Sequence, residues 1–405
     1  MSLESIFKSV SGQENADLDL PAVVATAEEA AEAVVDKEIA EAEADIAEHD
    51  KDIAQHETAI EALEEKVEEL EEVIEGTESM LNGTTDFNAA LFAHQYAQGA
   101  KIVAKFGAPV EVQGVESYAD VSTASLNAYA GIESFKETAG KAVGAIKKFF
   151  VDLYNSFINL FVGLFNKLKG IKNKAATVKA SLSKAEKLKE KVSLPKSASI
   201  LDKDGEFGGI ATLVSTCGKV YSELQGLGVA QEGDSANAVH AICDTFAGIG
   251  TKTVSGKNEA TETLEVKVNG ATVSIVAPVS DAGLGKVGVS VKAGEAPAET
   301  APKSKEVLMR LVNSVGANAD KLQNAKMDKS ALTQQRDRAI GVMEKAAAEA
   351  GNREGADKDE IKKGKKSATG AIKQAHAAGL KLGRAATSLG ADVLEAQLAF
   401  VKAHI

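Results

Sequence analysis

The chain has 405 residues, of which 44% are hydrophobic and only 4% aromatic, and its formal net charge is −13 at pH 7. This length allows two or three domains, and an apolar fraction rich in Ala favours long helices over a dense aromatic core. Two cysteines are too few for a disulfide framework, and the N-terminus lacks the basic-then-apolar pattern of a secretory signal. The sequence also has no run of about 20 apolar residues that could span a membrane. We therefore expect synthesis in a cytoplasm.

The net charge is divided unevenly along the chain. Residues 1–133 contain 6 Lys and Arg against 30 Asp and Glu, a net charge of −24. Residues 134–405 contain 40 basic and 29 acidic residues, a net charge of +11. This asymmetry is typical of an acidic segment covering a part that meets a polyanion, although an acidic coiled coil before an ordinary domain would give the same totals.

An apolar repeat predicts a long first helix over the proline-free segment 22–86. One row of residues recurs every seven positions: Ile39, Ile46, Ile53, Ile60, Val67, Ile74 and Leu81. A second row, offset by three, consists of Val35, Ala42, His49, His56, Leu63 and Leu70. These are the a and d positions of a coiled coil over about six heptads, and either a partner strand or a helix of the same chain could cover the seam. The two histidines either make the seam pH-sensitive or are tolerated polar breaks.

A second helix is expected to fold back on the first. Gly83 and the following Thr-Thr-Asp turn end the first helix, and Asp86 is a suitable N-cap for a helix over 87–106 that stops at Gly107. Residues 1–107 are therefore predicted to form an acidic coiled-coil hairpin.

The segment 108–133 predicts a linker that carries two similar tetrapeptides. The first, GVES, ends at Glu116-Ser117, and the second, GIES, ends at Glu133-Ser134. Small-x-Glu triads arise by chance in chains rich in Ala and Glu, but a linker supplies the accessible backbone that a processing protease requires. The second tetrapeptide also falls at the charge boundary. Both Glu-Ser bonds are therefore candidate cleavage sites.

Residues 134–195 predict amphipathic helices with a Phe-rich stripe and a lysine-rich end. The stripe contains five of the 13 Phe residues, and polar residues occupy its other side, so the segment is amphipathic rather than transmembrane. The lysines could neutralise nucleic-acid phosphates without reading bases, or could form a solvated face. The candidates for DNA contact are Lys167, Lys169, Lys172 and Lys174.

Residues 196–300 predict a small α+β module. Strands at 264–268 and 272–276 flank Asn269-Gly270, the strongest short hairpin signal, and 287–291 is a third candidate strand. Helical patterns precede these strands at 209–226 and 235–248.

Residues 301–405 predict two further Ala-rich helices, 303–350 and 366–403. The charged joint between them ends in a basic cluster that offers further candidates for non-specific DNA contact: Lys362, Lys363, Lys365 and Lys366. The predicted fold class is mainly α, with an N-terminal coiled-coil hairpin, long amphipathic helices, one small α+β module with a β-hairpin, and a C-terminal helical pair.

The sequence contains no catalytic or cofactor-binding constellation. It lacks a Walker loop, a G-x-S-x-G elbow, an H-E-x-x-H pair and paired C-x-x-C motifs. His240 and Cys243 offer too few ligands for a metal site. We therefore predict a protein that is not an enzyme and that binds no cofactor or metal.

The order of segments along the first half of the chain resembles a known family. An acidic helical segment and the GIES tetrapeptide precede an aromatic amphipathic stretch and lysine-rich helices, which read SFKETAGKAVGAIKKFFVDLYNSFINLFVGLFNKLKGIKNKAATVKASLSKAEKLKEK. Over roughly residues 20–195 this resembles internal head proteins of large tailed bacteriophages. The module at 196–300 and the C-terminal helices have no counterpart in the resemblance.

The resemblance implies a virion protein that lies inside the phage head and is present in the host cytoplasm before assembly. It implies an acidic propeptide that a prohead protease removes after small-x-Glu triads, with Glu133 preceding the main cut, Ser134 as the new N-terminus and Glu116–Ser117 as a secondary cut. The implied partners are phage DNA, bound non-specifically, capsid or scaffold proteins and the protease. The coiled coil adds possible self-association.

Two other classes of function remain open at this point. In a membrane-active protein, the coil would shield the Phe-rich stripe until release and the stripe would then lie in a bilayer interface. The alternative for the stripe is burial against the hairpin or the C-terminal helices. An enzyme hidden in 196–300 would require a pocket that the sequence does not reveal.

Overall fold

The structure is a computed structural model that describes residues 27–107, 110–189, 191–227, 233–295, 301–325, 327–351 and 358–405. Within these ranges, the side chains of 27–31, 346–351 and 358–368 are not described. The described chain is mainly helical with one small antiparallel sheet, which confirms the predicted fold class.

The N-terminal part is a helical hairpin, as predicted. Helix α1 (Ala27–Leu81) is 55 residues long and turns at Gly83, whose φ of 71° favours glycine, into helix α2 (Ala89–Lys105). The N-cap of α2 is Asn88, whose side chain accepts a backbone hydrogen bond at 3.0 Å, rather than the predicted Asp86. The long acidic segment is therefore one continuous helix with a short partner at its C-terminal end.

Helix α3 (Val121–Lys184) covers the apolar seam of α1. Ile39 lies against Gly170 and Ile46 lies against Gly163, so the two helices run antiparallel. The approach is close, because a Cβ added to Gly170 would lie 2.7 Å from the Ile39 side chain. The partner of the predicted coiled coil is therefore a helix of the same chain, and this seam is not free for self-association.

Helix α3 begins before the predicted boundary, so the expectation of a linker over 108–133 is wrong for 121–133. Asp120 caps α3 by accepting a backbone hydrogen bond at 2.9 Å. Phe135 is fully buried in a second, smaller core shared with α2. The first turns of α3 contribute only small buried residues, which produce no large apolar stripe in the sequence: Ala124, Ala128 and Gly131. The chain between α2 and α3, within 110–120, contains one 3-10 turn (Val115–Tyr118) and is otherwise irregular.

Gly131 is packed too tightly for any side chain. A Cβ at this position would lie 1.8 Å from the Tyr96 hydroxyl and 2.9 Å from Val110, whereas Gly140 on the exposed side of α3 has nothing within 4 Å. We expect Gly131→Ala to destabilise the protein by about 1–3 kcal/mol, and Gly140→Ala to stabilise it by up to about 1 kcal/mol. Urea unfolding measures both effects, and equal shifts of the midpoint in the two variants would contradict this packing.

The predicted α+β module consists of helices α4 (Ile210–Gly226) and α5 (Asp234–Ala247) and a sheet of strand order β1–β2–β3–β4. In the β2–β3 pair, Val268 lies opposite Ala271, which confirms the predicted two-residue hairpin at Asn269-Gly270. The strand β1 was not predicted, because its residues are exposed throughout and show no alternation. The strand bounds are Thr251–Lys257, Thr261–Val268, Ala271–Pro278 and Gly288–Lys292.

Three further helices follow the sheet: α6 (Lys305–Gln323), α7 (Lys329–Gly351) and α8 (Lys358–His404). The helix predicted over 303–350 is therefore two helices, and Asp328 caps the second by accepting a hydrogen bond from the Ala331 N–H at 2.8 Å. Helix α8 contacts α3 and each of the helices α4 to α7, so it runs through the main core. Residues 352–357 of the predicted charged joint lie outside the described residues, and its lysine-rich end belongs to α8.

The C-terminal end of α3 is closed by a lysine from α6. The sequence predicted helix as far as Pro195, but α3 ends at Lys184. Lys305 Nζ donates hydrogen bonds to the carbonyl oxygens of Ser183 at 2.7 Å and Ala185 at 3.0 Å. These bonds satisfy carbonyl groups that have no partner within the helix.

Candidate functional site

Helix α1 carries an acidic row beside its apolar seam, which the apolar repeat of the sequence does not reveal. One heptad position is acidic in every repeat: Asp36, Glu43, Asp50, Glu57, Glu64, Glu71 and Glu78. Seven residues correspond to nearly two helical turns, so these carboxylates lie along one side of α1. This position borders the seam, so its side chains can reach the helices that flank the seam.

Near its two ends, the acidic row pairs with α3. Asp36 accepts a hydrogen bond from Lys174 Nζ at 2.6 Å, and the Glu78 carboxylate lies 2.8 Å from Lys136 Nζ. Exposed pairs of this kind contribute little stability, typically less than about 1 kcal/mol. These pairs instead set the register of the two helices, because they fix which turn of α1 faces which turn of α3.

Along its length, α1 also faces α8, and four ion pairs join these two helices. Long side chains bridge the gap, because the α1 backbone approaches α8 less closely than it approaches α3. Higher residue numbers on α1 match lower ones on α8, so the two helices are antiparallel. The pairs are Glu32–Lys402, Asp50–Arg384, Glu57–Lys381 and Glu64–Lys373.

Lys167, one of the predicted DNA contacts, is enclosed rather than presented to solvent. Its side chain is 8% exposed, and its Nζ lies 2.9 Å from Glu43, 3.2 Å from Asp392 and 3.2 Å from Glu395. Burial opposes the charged amine, but the three carboxylates outweigh this effect and raise the pKa of Lys167. In this conformation Lys167 links α1, α3 and α8 and cannot reach a phosphate.

The other lysines predicted to contact DNA have different surroundings. Lys172 pairs with Asp320 at 2.8 Å and Lys174 pairs with Asp36, whereas Lys169 is exposed. The first turns of α8, where only the backbone is described, contain Lys362, Lys363, Lys365 and Lys366. Four cations that sequence analysis did not single out lie together under α1: Lys373, Lys381, Arg384 and Lys402.

The ion pairs between α1 and α8 form at a cost in hydration. Burial lowers the pKa of Lys373 to about 8 and also lowers the pKa of Lys402, although each lysine has a carboxylate beside it. Burial likewise raises the pKa of Asp50, against the opposing attraction of Arg384. Partly buried pairs that lose hydration add little net stability. We therefore attribute the docking of α1 mainly to its apolar seam. The ion pairs set the register of α1 against α8.

The Glu116–Ser117 bond lies in the loop between α2 and α3. Glu116 is exposed, Ser117 is half-buried, and the residues at 111–115 are exposed. A single 3-10 turn spans this bond, and the fully buried Tyr118 anchors the end of that turn. The loop therefore offers the accessible backbone that a protease requires.

The Glu133–Ser134 bond, in contrast, lies inside α3. The Glu133 side chain is exposed and pairs with Lys136 at 3.1 Å, but its neighbours Ile132 and Phe135 are buried in the smaller core. A protease would have to unwind the helix and extract both side chains. The expectation of extended backbone at this bond is therefore wrong.

The sequence profile of the phiKZ-like phage internal head proteins matches residues 35–403. The chain belongs to this family. It is a structural virion protein that lies inside the phage head, as the resemblance in the sequence implied. The match includes most of the acidic helix, both Glu-Ser bonds and the α+β module. No curated protein and no solved structure shows significant similarity to the chain.

The Phe stripe of this internal head protein belongs to the main core. Phe150, Phe157 and Phe161 are each 1% exposed. One segment of α3 is long and apolar enough to cross a membrane, but more than half of it is buried inside the protein. Both α1 and α8 cover the stripe. On the α8 side, the Tyr154 hydroxyl lies 2.9 Å from His376 Nδ1. Removal of α1 alone would therefore leave part of the stripe buried.

Within the described part of the internal head protein, no cluster of three or more His, Cys, Asp or Glu side chains could hold a metal ion. Cys217 and Cys243 are buried free thiols. Burial raises the pKa of Cys217 to about 11 and also raises the pKa of Cys243. Both thiols are therefore poor nucleophiles at neutral pH.

Proposed function

We propose that this internal head protein is made with an acidic N-terminal propeptide that a prohead protease removes, after which the basic remainder contacts packaged phage DNA non-specifically. The observation that carries the proposal is the pairing of the acidic row of α1 with cations of α3 and α8. This pairing gives the acidic segment a counterpart within its own chain. Capsid or scaffold proteins would be its neighbours in the head.

The main cut in this proposal is at Glu116–Ser117 rather than at Glu133–Ser134. The two bonds follow similar tetrapeptides, so the immediate sequence does not separate them. Their surroundings do, because the first lies in a short 3-10 turn that exposed residues precede, and the second lies inside a long helix with buried residues on both sides. A protease that needs an extended substrate would therefore act at the first bond.

Charge supports the proposed contact with DNA. Cleavage after Glu116 would leave residues 117–405, with 40 basic and 31 acidic residues and a net charge of +9. A net positive charge favours association with a polyanion, and contacts to phosphates are independent of sequence and sensitive to salt. The acidic segment would keep the chain away from nucleic acid before cleavage.

Peptide mapping of the protein from purified mature particles tests the processing. We expect an N-terminal peptide that begins at Ser117 and no peptides from α1, whereas immature heads contain the intact chain. A peptide that spans Glu116 and Ser117, present in mature particles in amounts equal to peptides from α8, would overturn the proposed processing. A new N-terminus at Ser134 would agree with the removal of a propeptide but would contradict the proposed position of the cut.

A membrane-active role has weaker support. The apolar segment of α3 would have to leave contacts with both α1 and α8 before it could enter a bilayer. Proteolysis of the loop between α2 and α3 leaves the contact with α8 unchanged.

A further inference from the structure

Five cations on α3 and α8 lie beneath the acidic helix, three of them between Lys373 and Arg384 and two near the other end, with the carboxylates Asp392 and Glu395 of α8 between these groups. Each cation of this row has an ion-pair partner on α1. Lys167 is not a member, because Asp392 and Glu395 of α8 would still neutralise it after α1 had left. The members are Lys174, Lys373, Lys381, Arg384 and Lys402.

We infer that this row is the surface that binds duplex DNA, and that α1 occupies it as an intramolecular competitor whose carboxylates take the positions of phosphates. The inference rests on the DNA association proposed above and assigns it to particular residues. Of the sequence-based candidates for DNA contact it keeps only Lys174, and it adds four cations of α8.

The geometry of α8 suits an elongated polyanion. At 3.6 residues per turn, its four cations fall within an arc of about 80° around the helix axis. From Lys373 to Lys402 they extend along about 44 Å of the axis, at 1.5 Å per residue. One turn of duplex DNA measures about 34–36 Å, so such a row is long enough to meet phosphates on successive turns of the backbone.

The chemistry of the row favours phosphate contact over base recognition. Its members are four lysines and one arginine, and their present partners are carboxylates spaced along one side of α1. The described ring contacts of the protein involve none of these cations, so stacking on exposed bases is not indicated. Contacts of this kind are expected to be insensitive to DNA sequence and strongly dependent on salt.

Cleavage of the loop between α2 and α3 would change the competition rather than end it. The apolar seam would still hold α1 on α3, because Ile39, Ile53 and Ile60 are buried there. A covalently tethered helix competes at an effective concentration of about millimolar, and cutting the tether removes this advantage. DNA at high concentration could then displace the acidic helix.

Two matched sets of substitutions in the full chain test this surface. The groove set replaces Glu32, Asp36, Asp50, Glu57 and Glu64 with Gln or Asn, which removes the partner of every cation in the row. The control set makes the same change at five exposed acidic residues of α1, namely Asp45, Glu48, Glu61, Glu65 and Glu72. Both sets change the net charge by the same amount, so only the position of the lost charges differs.

Binding to a fluorescently labelled random-sequence duplex is measured by anisotropy over a range of salt concentrations. We expect the groove set to bind at least about tenfold more tightly than the control set, with a slope of log Kobs against log salt steeper by about three to four. A third variant adds Lys373→Gln, Lys381→Gln and Arg384→Gln to the groove set, and it is expected to lose most of the gain. Circular dichroism of all variants reports whether α1 stays helical.

The possible failures can be told apart. Equal affinities of the groove and control sets would overturn the masking of the row by α1. If the third variant keeps the gain in DNA affinity, DNA binds elsewhere. The same result is expected if the groove substitutions unfold α1 and expose other lysines, so this outcome also overturns the inference. If no variant binds DNA even at low salt, the DNA association in the proposed function fails as well.

Discussion

A glutamyl endopeptidase is expected to cut the native protein after Glu111 and Glu116 at least about 100-fold faster than after Glu133. Glu111 and Glu116 are exposed in the loop between α2 and α3, where only one 3-10 turn, anchored by Tyr118, has to open before cleavage. Cleavage after Glu133 requires local unfolding of α3. Extraction of Ile132 and Phe135 from the core costs roughly 1.5–3 kcal/mol for each side chain, and a factor of 100 corresponds to only about 2.8 kcal/mol.

Intact mass spectrometry of a short digestion measures this difference directly. The matched control is the double variant Glu111→Gln and Glu116→Gln, which removes both loop sites and leaves α3 unchanged. We expect this variant to resist cutting between α2 and α3 under conditions that cleave the wild-type protein. A first fragment beginning at Ser134, in either protein, would show that α3 opens at its N-terminal end and would restore Glu133 as a candidate for processing.

The long acidic helix could be predicted from the sequence because large apolar side chains mark its seam. The row from Ile39 to Ile74 recurs every seven residues, and this period specifies both a helix and the face that it buries. The acidic row had an equally regular period, from Asp36 to Glu78, but acidic residues surround it on α1 and hide it. The cations that give the row its meaning lie on α3 and α8, so the row is recognisable only in three dimensions.

The start of α3 could not be predicted because its packing depends on small residues. Ala124, Ala128 and Gly131 allow the close approach of α2, but such residues do not form a conspicuous apolar stripe. The sequence alone indicates that the GIES tetrapeptide is a protease motif in a linker. In the structure, its Gly131 and Ile132 are core residues of a helix, which accounts for both residues without cleavage.

The β-hairpin and the missed strand show the same limit. Asn269 has a φ of 51°, and with Gly270 it makes a turn whose sequence requirements are strict, so it was predictable. Strand β1 is an exposed edge with a register shift between Val254 and Gly256, and only its pairing with β2 makes it a strand. Strand pairing that depends on a neighbour leaves little trace in the sequence itself.

The largest pH effect on stability is expected from His376. This residue of α8 is 2% exposed, and its Nδ1 lies 2.9 Å from the hydroxyl of Tyr154 on α3. A neutral imidazole can accept the hydrogen bond of the hydroxyl, whereas a protonated ring has no free acceptor and would place a charge in the core. Burial accordingly lowers the pKa of His376 to about 4.

The sign of the effect follows from proton binding. A histidine in the unfolded chain has a pKa of about 6.5, so between pH 6.5 and about 4 the unfolded state binds a proton that the folded state does not. Stability from this residue is therefore complete above pH 6.5 and decreases as the pH falls to about 4. The full loss is about 3 kcal/mol, at about 1.4 kcal/mol for each pH unit. Lys373, one turn earlier on α8, has a pKa of about 8 and stays charged over this range, so it adds no slope.

Urea unfolding at pH 6.5, 5.5 and 4.5 measures the effect, with His376→Leu and Tyr154→Phe combined as the comparison. The double variant removes the titrating ring and the hydroxyl together, so no polar group is left without a partner in the core. Carboxylates titrate in both proteins, so their contribution cancels in the difference. We expect the wild-type free energy of unfolding to fall by about 2–3 kcal/mol more than that of the variant over this range. Parallel curves for the two proteins would show that His376 can be protonated within the fold, which the enclosed contact with Tyr154 does not permit.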